Sequence, residues 1–231
     1  MFRLDNLVLA QKDFRLTADW SIRPGAKVAV IGPSGAGKSS LLAAIAGFYQ
    51  PVSGRVWLDQ RDLTALPPGE RPLSVLFQDQ NLFPHLTLAQ NLGLGIRPDL
   101  RLSAEDHRRI DAALERVQLQ GLGKRKPAEI SGGQASRAAL ARVLLRARPL
   151  LLLDEPFAAL GPALKSGMLD LLAEVAAESH ATVLMVTHDP GDALQFADET
   201  VLVADGVAHP PAATAALFSS PPEALAAYLG R

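Results

Sequence analysis

The stretch Gly32-Pro33-Ser34-Gly35-Ala36-Gly37-Lys38-Ser39, followed by Ser40, satisfies G-x-x-x-x-G-K-[ST]. Its glycines let backbone N–H groups converge on phosphate oxygens, a helix N-terminus behind them adds its positive dipole end, and Lys38 supplies a point charge for the outer phosphates. Ser39 is placed to hold Mg²⁺ through its hydroxyl. The competing reading, a glycine-rich turn with a surface lysine, leaves the flanking strand and helix patterns without a purpose. Further groups could act on a phosphate held there. Asp154 and Glu155 lie in "LLLLDEP", at the end of a buried apolar run where carboxylates are disfavoured unless they have a task. Asp154 suits Mg²⁺, and Glu155 suits orienting or deprotonating an attacking water. His188 lies at the end of "TVLMVTHD" and Gln78 at the end of "SVLFQ". Each is an ordinary polar strand terminus unless the strands are parallel neighbours, whose carboxyl ends share one crevice. Gln78 could then ligand Mg²⁺ or sense the terminal phosphate.

A second glycine-bearing stretch, "ISGGQASRAALAR", begins at Ile130. Ser131 to Gln134 fits the S-x-x-Q of a capping box, which by itself describes a well-made helix start. Gly132 and Gly133 are poor helix formers, costing up to about 1 kcal/mol each relative to alanine, and a cap has no need of them. Bare amides at a helix N-terminus suit close approach to a phosphate. The chain therefore carries two phosphate cradles.

The elements that must position these groups are legible in outline. "KVAVIG" reads as a buried strand, and "SSLLAAIAG" as a helix with Gly47 as its C-cap. "GRVWLDQRDLT" reads as an antiparallel strand and turn, and Pro72 to Asp79 as another buried strand. From Asp79 to Ala147 strand signals vanish. There "SAEDHRRIDAALERVQL" starts at a capping Ser103 with apolar residues at helical spacing, which predicts a helical insertion over 79–147. "LLLLDEP", "ATVLMVTHD" and "TVLVADGVAH" are continuous apolar runs suited to strands covered on both faces. A helix starting with Pro162 lies between the first two, and the alanine- and proline-rich tail can pack as short helices. The expectation is one α/β domain over 1–231. Its core, 1–78 and 148–231, holds a mostly parallel P-loop NTPase (RecA-like) sheet with an antiparallel β subdomain, and 79–147 forms an α-helical subdomain.

At 231 residues and 48% hydrophobic, the chain can bury a substantial core. Its formal net charge is -1 with scattered basic residues, which argues against a nucleic-acid partner. The absence of cysteine excludes disulfides and thiolate chemistry and fits the cytosol. Charges at Arg3, Asp5 and Lys12 exclude a signal peptide, and no stretch approaches the roughly 18 apolar residues of a membrane span, so any membrane role must run through a partner.

In order and spacing, Gly32 to Ser39, Gln78, "ISGGQ", "LLLLDEP" and His188 resemble the nucleotide-binding subunit of ABC transporters across almost the whole chain. The resemblance implies an ATPase with ATP and Mg²⁺, in which Glu155, His188, Gln78 and Lys38 are catalytic and Ser39, Gln78 and Asp154 hold the metal. It also implies a head-to-tail dimer in which Ser131, Gly132, Gly133 and Gln134 contact ATP held by the other copy. "AQNLGLG", with the segments around it, is most similar to the subgroup serving bacterial thiamine importers; polyamine, iron or sulfate importers are the alternatives. The implied partners are a second copy, an integral membrane permease facing Asp79 to Leu88 and, indirectly, a periplasmic substrate-binding protein. The implied location is peripheral, on the cytoplasmic face of the inner membrane.

The chain departs from that family at three places. Gln11 stands where an aromatic usually stacks on adenine, leaving Phe14 and Trp20 as candidates to replace it. Gly161 replaces an aspartate that bridges the two sites, and "QASR" follows the signature glycines where a more polar run is common, with Arg137 and Arg142 retained. Two other classes fit less well. A soluble kinase or GTPase is disfavoured by the signature helix and the missing N-K-x-D, and a chromosome-maintenance ATPase needs a coiled coil that is absent here.

Overall fold

The computed structural model describes residues 1–12, 14–77 and 82–230. The chain opens with two strands that the sequence pattern does not announce, β1 (Phe2–Gln11) and β2 (Phe14–Ile22). In β1 the buried residues Phe2 and Leu4 are out of phase with Leu7 and Leu9. Strict alternation would send the two pairs to opposite faces. A bulge between Leu4 and Leu7, with Asn6 at φ 47°, inserts the residue that brings all four to one side.

There follow β3 (Lys27–Ile31), α1 (Lys38–Ala46), β4 (Ser53–Leu58), β5 (Arg61–Asp62) and β6 (Leu73–Leu76). The helices α2 (Leu88–Ile96), α3 (Ala104–Arg116) and α4 (Gly132–Leu145) come next, then β7 (Leu150–Asp154), α5 (Pro162–Ser179) and β8 (Thr182–Val186). The last part holds α6 (Pro190–Phe196), β9 (Glu199–Ala204), β10 (Val207–Ala208), β11 (Ala212–Ala213), α7 (Thr214–Ser219) and α8 (Glu223–Tyr228).

The sheet runs β5-β4-β1-β2-β10-β9-β3-β8-β7-β6, with β11 on β9. From β9 to β6 every neighbouring pair is parallel, whereas β1, β2, β4 and β5 pair antiparallel. Each central strand is buried on both faces. Val28, Val30, Leu152 and Leu184 join α1 and the antiparallel strands in one core. Ala29, Ile31, Leu153 and Met185 join α4, α5, α6 and the terminal helices in a second. Phe218 and Leu225 anchor α7 and α8 there, so the biased tail is packed.

A third apolar cluster unites α2, α3 and α4. Ser103 caps α3 as its sequence suggests, exchanging hydrogen bonds with Asp106. Helix α4 is shared: Leu88, Leu92 and Ile110 meet its Ala138 and Ala141 on one side, and its Ala139, Leu140 and Val143 belong to the second core. Arg137, nearly buried, donates to the carbonyls of Val117 and Gln118 at 2.8 and 3.1 Å, which ties α4 to the end of α3.

Helix α1 is held at its far end. Gly47 adopts the left-handed conformation of a C-cap. Beside it the guanidinium of Arg71, 1% exposed, donates to the carbonyls of Ala44 and Ile45 at 2.9 and 2.7 Å and to those of Leu66 and Thr64. A buried cation thereby neutralises the negative end of the helix that carries the glycine loop.

Candidate active site

Backbone conformation builds the loop between β3 and α1. Gly32, Gly35 and Gly37 have φ of 147°, 78° and 101°. A Cβ on Gly32 would lie 2.0 Å from the carbonyl oxygen of Val203, and one on Gly37 would lie 2.6 Å from the ring of Phe14. Both glycines are therefore required by this chain's own packing, in addition to any ligand. Lys38, in the first turn of α1, turns its ammonium back to donate to the carbonyls of Gly32 and Pro33 at 2.7 and 2.8 Å. Burial pulls its pKa down, while Glu155 and Asp154 oppose that shift. Pro33, Ser34, Gly35 and Ser39 face solvent, with Ala36 and Ser40 half-buried.

Strand order brings the acidic groups to this loop. β8 lies between β3 and β7, and β6 lies beyond β7. The four parallel strands therefore end side by side, which is where open α/β sheets form their crevice. Asp154 is the last residue of β7 and pairs in register with Val186. It is buried and accepts a hydrogen bond from Ser39; burial and the nearby Glu155 raise its pKa, while Ser39 and Lys38 pull the other way. Glu155 has φ 47°, a region a side chain of its size rarely enters, and its N–H donates to Val186 at 3.0 Å. That turn aims the carboxylate at His188, whose Nδ1 lies 3.1 Å from Glu155 Oε2. Strand β8 ends at Val186, so His188 sits in the loop beyond it.

The oxygen set of Ser39 and Asp154 fits a hard divalent cation. Asp154 is a buried carboxylate short of positive charge, with a hydroxyl beside it. Among the described residues no three His, Asp or Glu cluster as a metal site. Gln78, the other expected ligand, lies outside the described residues.

The signature stretch is built differently. Ser131 Oγ accepts from the Gln134 N–H at 3.3 Å, and Gln134 Oε1 accepts from the Ser131 N–H at 2.9 Å. Ser131 and Gly132 are exposed, and a Cβ on Gly132 would meet nothing within 4 Å. Nothing among the described residues requires that glycine. Gly161, the N-cap position before α5, is equally open.

Of the aromatics expected to stand in at Gln11, one is excluded. Trp20 is 6% exposed, its ring tilted against Phe2, and its indole N–H donates to the carbonyl of Ala208 at 3.0 Å. Phe14 lies against Gly37, on the phosphate loop itself. Sequence reasoning also missed Asn91, which is fully buried in α2. It accepts from the N–H of Phe83 and donates to the carbonyls of Phe83, Leu86 and Thr87, shaping the loop that holds Phe83 46% exposed. Its only signal was its place in "AQNLGLG". Lys165, Asp189 and Asp192, which brace the His188 loop, had none.

The ABC transporter family matches residues 17–158, from β2 through the acidic pair. This chain belongs to that family. ATP binding follows from that membership. Over 230 residues, all of both chains, it is 66% identical to the thiamine import ATP-binding protein ThiQ of Cereibacter sphaeroides and 56% identical to that of a Ruegeria species. It is 48% identical to the Yersinia pseudotuberculosis protein of the same name, over 89% of this chain and 87% of the other. Among solved structures it resembles the dimeric post-hydrolysis state of the ATP-binding cassette MJ0796 bound to ADP and Pi. The TM-score is 0.82 at 29% identity, covering 93% of this chain and 99% of that one. A second dimeric structure of this bacterial ABC transporter cassette gives 0.83. Among the described residues no helix is long and apolar enough to cross a membrane.

Proposed function

We propose that this chain binds ATP with Mg²⁺ in Gly32–Ser40, closes head to tail on a second copy, and powers a membrane importer of thiamine. One observation carries the dimer: Gly132 opens an exposed helix N-terminus, and nothing among the described residues needs it to be glycine. Bare amides there suit a phosphate brought by another molecule, and the cassettes this chain resembles were solved as dimers.

In this reading the Lys38 ammonium leaves the carbonyls of Gly32 and Pro33 for the outer phosphates. Ser39, Asp154 and Gln78 hold Mg²⁺, which when bound neutralises charge on the phosphate oxygens. Glu155 takes a proton from the attacking water as its oxygen bonds to the γ-phosphorus and the bond to the ADP oxygen breaks. His188 holds the Glu155 carboxylate in place and senses the terminal phosphate. Ser131, Gly132, Gly133 and Gln134 receive that phosphate from the partner copy.

The permease is read as docking on the cleft of about 440 Å³ lined by Phe48, Phe77, Phe83, Arg142 and Arg146. Phe48 and Phe83 are 59% and 46% exposed, unusual for large aromatics without a partner. Phe83 of the expected docking segment Asp79 to Leu88 lines it, while residues 79–81 lie outside the described part. Such docking places the chain on the cytoplasmic face of the inner membrane. Thiamine rests on the names of the relatives. Deleting the gene should abolish uptake of labelled thiamine, restored by the wild-type chain and not by Glu155→Gln. Intact thiamine uptake with loss of polyamine, iron or sulfate uptake would overturn the substrate and leave the ATPase.

A further inference from the structure

The last helix of the chain reaches the loop that carries His188. Leu225 of α8 is fully buried in the second core, and Tyr228 packs against the same cluster one turn later. The Tyr228 hydroxyl donates to the carbonyl oxygen of His188 at 2.6 Å. Burial, and after it Glu155 and Asp189, pushes the phenol pKa up, which favours the protonated, donating form.

The residues after His188 are braced from the other side. Lys165 Nζ, from α5, lies 2.6 Å from both Asp189 Oδ2 and Asp192 Oδ1. Thr187 Oγ1 donates to Asp192 Oδ2 at 2.7 Å and accepts from the Asp189 N–H at 3.1 Å. Lys165 thus fixes the side chains that follow His188, and Tyr228 fixes the peptide at His188 itself. Rotation of that peptide would swing the imidazole, which is 61% exposed and has little packing of its own, away from Glu155.

We propose that Tyr228 is a positioning residue for hydrolysis. Through its hydrogen bond to the backbone of His188, α8 sets the imidazole against Glu155, so the C-terminal helix governs turnover without touching nucleotide. The inference rests on Glu155 and His188 being the catalytic pair.

Tyr228→Phe removes the hydroxyl and keeps the ring that packs on the core. In the full-length chain, kcat for ATP should fall about three- to tenfold, the worth of one hydrogen bond. KM for ATP should stay within about twofold, because the phosphate loop is untouched, and Tm should hold. In a His188→Ala background the same change should have no further effect on residual turnover. An unchanged kcat, a fall in Tm that accounts for the loss, or effects that multiply in the double variant would each make Tyr228 a simple anchor and overturn the inference. Glu155→Gln and His188→Ala run alongside. If they abolish turnover while Tyr228→Phe does nothing, only this inference fails; if they leave turnover intact, the catalytic reading fails and this falls with it.

Discussion

The two glycine-bearing stretches look alike as sequence and are opposite as structures. In Gly32–Ser39 two of the three glycines are forced by neighbours in the same chain, Val203 against Gly32 and Phe14 against Gly37, and the lysine is already satisfied by loop carbonyls. In Ser131–Gln134 the cap is closed on itself, and Gly132 faces open space. A glycine required by its own fold marks a loop whose shape one chain sets by itself. A glycine that its own fold does not require points to contact with another molecule.

The largest test of this contrast fixes the chemistry at the first cradle. Glu155→Gln should lower turnover by at least ~100-fold, the usual worth of a general base, while ATP binding survives. It should also trap an ATP-bound dimer visible by size measurement. Wild-type turnover in this variant would remove Glu155 from the mechanism.

Alanine at the two glycines should then separate the cradles. Gly37→Ala meets the Phe14 ring and a left-handed φ, costs of roughly 1–3 kcal/mol, so both Tm and ATP affinity should drop. Gly132→Ala should leave Tm and monomer ATP affinity intact, since alanine is the better helix former, while dimer-dependent turnover falls by about tenfold. Equal thermal damage from both substitutions would erase the distinction. Proximity offers a direct check, because the chain has no native cysteine. Ala36→Cys and Ile130→Cys on separately tagged chains, in the Glu155→Gln background, should be joined by a short cross-linker only with ATP. Direct disulfide formation would need Cα atoms within about 7 Å. Linkage confined to one chain carrying both cysteines would mean the signature serves its own nucleotide.

A smaller effect follows from Asp154. Its pKa is higher folded than unfolded, so the folded state holds more protons and stability declines as pH rises through that range. At neutral pH the ionised, buried carboxylate is a cost in the nucleotide-free protein. Asp154→Asn should therefore raise the Tm of that form and remove the extra stabilisation by magnesium with ATP. A lower Tm would show that the carboxylate stabilises the empty site. The smallest effect is expected at Gly161, where restoring the family's aspartate should raise the Hill coefficient for ATP hydrolysis; unchanged cooperativity in a folded protein would mean that the departure is silent.

The phosphate loop, the capping box and the acidic pair were legible because each depends on a few consecutive residues with fixed backbone needs. The N-terminal hairpin was hidden by the bulge at Asn6, which breaks the alternation that marks a strand. Trp20 and Phe14 were indistinguishable as base partners until the fold buried one beneath Ala208 and laid the other on Gly37. Asn91 was visible only as part of a subgroup motif, and its task, satisfying the backbone of the Phe83 loop, belongs to packing.

By itself the sequence determined the chemistry on offer: two phosphate cradles, an acidic pair after a buried strand, a histidine after another, and no thiol. Local hydrogen-bonding geometry dictates those residues wherever the chain goes. Only the tertiary structure decided which of them meet. β8 inserts between β3 and β7, and that order sets the His188 loop beside Glu155 at the end of β7. Tyr228 reaches His188 because the last helix must bury Leu225 in the second core. Such contacts follow from burying the whole chain at once, and no local spacing encodes them.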